Sequence, residues 1–136
     1  METKEIDYKG LSPRELADAI VAVLHEKGAG DIRLFHVEEA TNITDFYVIA
    51  TGRSATHIKA LADEVVYQME NGNLNAEHVE GREAGSWILL DYSSVIVHIF
   101  SREEREYYKL ERLLPEGTQI DLTEFLHTLE KKATEI

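Results

Sequence analysis

Three stretches of the chain place apolar residues at helical spacing. Leu16, Ile20, Val23 and Leu24 form the first stripe, Ile58, Leu61, Ala62, Val65 and Met69 the second, and Leu122, Phe125, Leu126 and Leu129 the third. The first opens on Ser12-Pro13-Arg14-Glu15, a cap, a proline at the first helical position and a capping-box acid, and closes at Gly28 and Gly30. Other stretches carry the pattern of strands. IRLFHV (32–37) alternates, whereas DFYVIAT (45–51) is continuously apolar and rich in β-branched and aromatic residues, as a buried strand is. Ser101-Arg102-Glu103-Glu104 starts a helix that runs towards Leu114, and Pro115 and Gly117 break the chain before the last helix, which starts at Asp121. The predicted order is α β β α β β β α α. Apolar strands interleaved with helices make this an α/β (α+β) protein, a mixed β-sheet covered by helices.

The segment EGREAGSWILLDYSSVIVHIF, residues 80–100, predicts a hairpin after a short strand near residues 77–80. With its turn on Ser93-Ser94, Tyr92 faces Val95 and Trp87 faces Phe100. Alternation then gathers Trp87, Leu89, Asp91, Ile96, His98 and Phe100 on one face. On the structural reading, Trp87 and Phe100 pack in the core and Asp91 bonds His98. On the functional reading, Trp87 and the Asp91-Tyr92 end meet a partner, because aromatic residues bury a large area and keep a polar handle. For His98 the structural role is favoured over a catalytic one.

Composition narrows the function. The 136 residues suffice for one domain with its own core, 1–136. Twenty-six acids against fourteen bases give a net charge of -12, and residues 60–100 hold seven acids and one base, Arg82. Such a surface disfavours RNA and DNA phosphates; on one reading it serves solubility, on the other it steers in a basic protein partner, and charge alone does not choose between them. No run is apolar enough to span a membrane. The polar, acidic N-terminus is unlike a signal or transit peptide, and the absence of cysteine fits a cytoplasmic location.

Catalytic patterns are weak. Thr51-Gly52-Arg53-Ser54, between a strand and a helix, offers an anion site on backbone N–H groups, with Ser54 as an ordinary helix cap the stronger reading. The six histidines never fall at i, i+4, and no strand carries the paired carboxylates of two-metal chemistry. No catalytic residue, cofactor or metal is expected.

Taken in order, ITDFYVIATGRSATHIKALADEV, EG, GSWILLDYSSVIVHIF and REYYKLERLL resemble the ribosomal silencing factor (RsfS, Iojap-related) family from residue 31 to residue 114. The resemblance implies a nucleotidyltransferase-like fold without its catalytic carboxylates. It also implies a translational repressor, not an enzyme, that binds the large ribosomal subunit through large-subunit ribosomal protein fourteen and blocks joining of the small subunit. Trp87, Asp91 and Tyr92 are then the expected interface residues, with Glu83 and Tyr108 beside them. Little direct RNA contact and no membrane contact are expected, and the free protein can pair with itself as a homodimer. Ser93-Ser94 departs from the Gly-Asp usual in the family. The extension 118–136 lies beyond the resemblance, and its stripe is read first as core cover. The rival reading is a nucleotide-binding or nucleotidyltransferase-like enzyme using the anion site at residues 51–54.

Overall fold

Capping and periodicity set the first layer. The computed structural model describes residues 6–39 and 41–134; the N-terminal residues 1–5 and the last two residues of the C-terminal extension, both part of the reading above, lie outside the described residues. Helix α1 (Pro13–Glu26) has the complete capping box, Ser12 accepting from the Glu15 N–H and Glu15 accepting from the Ser12 N–H. Helix α2 (Ala55–Asn71) is capped by Ser54, whose hydroxyl accepts from the His57 N–H at 3.0 Å. All five residues of its predicted stripe are buried.

Strands β1 (Gly30–His36), β2 (Phe46–Gly52), β3 (His78–Glu80), β4 (Trp87–Asp91), β5 (Val95–Ser101) and β6 (Gln119–Ile120) form one mixed sheet in the order β3-β4-β5-β2-β1-β6. Only β2 and β5 pair in parallel. α1 and α2 cover one face, over Leu34, Val48, Ala50, Ile88, Leu90, Val97 and Ile99. Helix α4 (Thr123–Thr134) follows an Asp121 turn, and Leu122, Phe125 and Leu126 pack against this same core, so the apolar stripe of the extension does cover it. The second face carries a smaller cluster of Phe35, Val37, Ile49 and Phe100, partly roofed by Leu110 and Leu114.

Two elements differ from the sequence reading. β6 was not anticipated, since two residues pairing with Leu34 and Phe35 leave no periodicity to detect. The helix opening at Arg102 stops at Tyr108 (α3, Arg102–Tyr108) and passes through Lys109 at φ 48° into a 3-10 turn, Leu110–Leu113. Arg105 gives the reason. Its Nη1 donates to the Asp31 carbonyl at 2.7 Å and to Thr51 Oγ1 at 2.8 Å, while Nε and Nη2 hold Glu111 at 3.2 and 2.9 Å. In an unbroken helix residues 105 and 111 sit about 120° apart around the axis and about 9 Å apart along it, so the break is what brings the pair together.

Candidate functional site

The hairpin register agrees with the sequence expectation: Trp87 lies opposite Phe100, Leu89 opposite His98 and Asp91 opposite Ile96. The turn at Ser93-Ser94 has two central residues, and Ser93 takes φ 69°, a left-handed conformation that serine adopts at a cost. Asp91 offsets that cost by accepting the Ser93 N–H on Oδ1 at 2.8 Å. Asp91 therefore bonds the turn and not His98, which corrects the structural pairing considered above; alternation puts them on one face but two positions out of register.

His98 is instead the acceptor for Trp87, whose indole N–H donates to Nδ1 at 3.1 Å. The imidazole is 5% exposed, and burial lowers its pKa from 6.5 to about 4, so at neutral pH it is uncharged with its proton on Nε2. Around this bond the rings form a cluster. Trp87 stacks on Phe100 at 4.7 Å and meets Tyr108 at 4.9 Å, and Tyr47 meets His98 edge-on at 5.2 Å. Trp87 is half-buried, its indole held by Phe100, His98 and Tyr108.

The loop leading into β4 is pinned from below. Gly81 has φ 82°, and a Cβ there would lie 2.0 Å from the Trp87 carbonyl oxygen, so only glycine fits. Beside it, Arg82 forms a two-pronged pair with Asp63 of α2 at 2.9 and 2.6 Å, which lowers the Asp63 pKa. Glu83 stands exposed on the same loop.

Of the five expected interface residues, Trp87 and Tyr108 are in contact, Asp91 lies on the same sheet face four residues further along β4, and Glu83 is exposed on the loop that leads into β4. Tyr92 does not belong with them. The strand pleat turns it to the helix-covered face, where it is 4% exposed among core residues, and burial first and the Glu70 carboxylate second raise its pKa. Leu89, as expected from alternation, and Tyr47, unnoticed in the sequence, share the face of Trp87. Leu89 was legible from alternation along β4, but Tyr47 arrives through the parallel β2–β5 pairing, which no local pattern announces.

At the rival site, the Arg53 N–H is bonded to His57 Nδ1 at 3.0 Å and the His57 N–H to Ser54, so those amides are already satisfied and Ser54 is a helix cap. Among the described residues no group of three His, Asp or Glu is placed to hold a metal. No helix among them is long and apolar enough to cross a membrane.

The site is thus an aromatic cluster on the sheet face opposite α1 and α2, partly exposed at Trp87 and Tyr108. Comparisons with known proteins give the family. The model of the family described as "Ribosomal silencing factor during starvation" matches residues 11–135, which takes in α1 and α4 on either side of residues 31–114. The chain is 30% identical over 112 residues to ribosomal silencing factor RsfS of Halalkalibacterium halodurans, covering 82% of this chain and 96% of that one. It is 33% identical over 98 residues to RsfS of Haemophilus influenzae, covering 72% and 96%. A crystal structure of a Chromobacterium violaceum protein, 28% identical, superposes with a TM-score of 0.75 over 82% of this chain and 91% of that one. The chain belongs to the ribosomal silencing factor family.

Proposed function

We propose that this protein represses translation by binding the large ribosomal subunit through large-subunit ribosomal protein fourteen and sterically blocking the small subunit. It catalyses no reaction and works in the cytoplasm. The observation that carries this reading is the Trp87 cluster: a half-buried indole fixed by His98 and Phe100 and touched by the exposed Tyr108, with Asp91 on the same sheet face and Glu83 exposed on the preceding loop. A fixed aromatic anchor loses little side-chain entropy on docking, and flanking acids steer a basic partner surface. The names of the relatives support it. Several are silencing factors, and a mouse relative, 30% identical over 99 residues that make up 71% of this chain and 43% of that one, is named "Mitochondrial assembly of ribosomal large subunit protein 1". In the absence of the partner the same patch is where two copies pair.

Subunit joining followed by light scattering tests the proposal. Large subunits incubated with the protein before small subunits are added should join to a much smaller extent, and Asp91→Lys should restore joining. Undiminished joining at saturating wild-type protein would exclude occlusion as the mechanism.

A further inference from the structure

On the other side of α3 from Tyr108 lies a cleft of about 1120 Å³, where β2 and β5 end side by side at Gly52 and Ser101. Its charge is opposite to that of the molecule. Arg33, Arg53, Arg102, Arg105, Lys109 and Arg112 line it, six of the fourteen Lys and Arg, against only four of the twenty-six acids, Asp31, Glu103, Glu106 and Glu111. Two of those acids are committed. Asp31 and Glu111 are held by Arg33 and Arg105 in a network that braces the cleft floor, with contacts between 2.9 and 3.8 Å. Arg102, Lys109 and Arg112, on the rim, have no ion-pair partner among the described residues. In a chain with almost two acids per base, a concavity lined by six cations and four acids, with three rim cations outside any ion pair, is not a general property of the surface.

We propose that this cleft binds a small polyphosphate-bearing anion, the di- or triphosphate group of a nucleotide or an inorganic polyphosphate. The position fits, because open α/β sheets bind ligands beyond the carboxyl ends of parallel strands. The residue types fit too, since guanidinium groups grip phosphate oxygens in pairs and a lysine adds a point charge. No aromatic side chain lines the cleft, so recognition is of the phosphates and not of a base. An RNA strand is the poorer occupant. Its backbone would have to leave the cleft along a chain whose remaining sequence holds twenty-two acids and eight bases. The site rests on side chains, as the Arg53 and His57 amides at the start of α2 are already bonded. It is also independent of the ribosomal reading.

The test is calorimetric titration of the full chain with tripolyphosphate, ATP and GTP at near-physiological salt, with amide NMR to locate the response. One site is expected, binding tripolyphosphate and the two nucleotides similarly, with shifts centred on residues 102–112. Arg102→Ala and Arg112→Ala should each weaken it about tenfold, as should Lys109→Asn, chosen because asparagine tolerates the left-handed backbone there. Lys132→Ala, outside the cleft, should change nothing. These rim side chains are exposed, so the variants keep their fold, which their melting temperatures would verify. Absence of binding by the wild type, or equal binding by the rim variants, overturns the proposal. So does a single-stranded RNA that binds more tightly than tripolyphosphate and displaces it.

Discussion

Protonating His98 should cost this protein both stability and the fixed position of Trp87. In the folded state burial holds the imidazole pKa at about 4, against 6.5 for a free histidine. Between these values the unfolded chain binds a proton that the folded chain does not, so stability falls as pH falls, by about 1.4 kcal/mol per unit. Over the whole window from pH 6.5 to 4 the loss approaches about 3 kcal/mol, a large part of the ~5–15 kcal/mol of a typical domain. Above pH 6.5 the group is neutral in both states and contributes no pH dependence. Urea unfolding of the wild type and His98→Asn isolates this effect. Asparagine keeps an acceptor for the Trp87 N–H but does not titrate, and the many carboxylates act alike in both proteins and cancel in the difference. The stability of the wild type relative to the variant should drop by about 3 kcal/mol between pH 7.5 and pH 4, nearly all of it below pH 6.5. A difference that stays flat across that range, or a His98 resonance titrating near the free-histidine value, would refute the reasoning.

Three further outcomes follow from the packing. A Cβ on Gly52 would sit 2.5 Å from Ile58 Cγ1 and 3.1 Å from the Ile58 nitrogen, so Gly52→Ala should separate β2 from α2 and cost about 1–3 kcal/mol in denaturant unfolding. Arg105→Met removes the hydrogen bonds that join α3 to the Asp31 carbonyl, Thr51 and Glu111; a loss of about 2–4 kcal/mol is expected, with earlier proteolytic cleavage within residues 109–114. Asp91→Asn keeps the acceptor for Ser93 and should leave the melting temperature nearly unchanged, while Asp91→Ala should lose about 1 kcal/mol through the turn. Both should weaken partner binding to the same degree if the charge, and not the turn, is what the partner meets.

Much of this architecture was legible because local and tertiary signals agree. Ser12, Ser54 and Ser101 mark helix starts that the hydroxyl hydrogen bonds then realise, and the α2 stripe is buried residue for residue. The hairpin register followed from placing the turn on Ser93-Ser94, with period-two alternation assigning the faces. What escaped the sequence depends on long-range pairing. β6 is two residues long and exists only because β1 offers an edge. The end of α3 at Tyr108 depends on Arg105, whose partners lie as far away as residue 31. Within the candidate site, Trp87 stood out by residue type. That its hydrogen-bond partner is His98, and that Tyr92 turns inward, became clear only with the register and the packed helices in place.

The central claim is that the Trp87 face docks on the large subunit. Co-sedimentation of the purified protein with isolated large and small subunits, for wild type and Trp87→Ala, addresses it directly. Truncating the indole removes a central aromatic anchor, for which about 2 kcal/mol or more, some thirtyfold in affinity, is expected. The fold should survive, because Trp87 is only half-buried. The account predicts that wild type pellets with large subunits alone and that folded Trp87→Ala stays in the supernatant. Equal pelleting of both proteins would place the docking surface elsewhere, and no pelleting of the wild type would contradict ribosome binding itself.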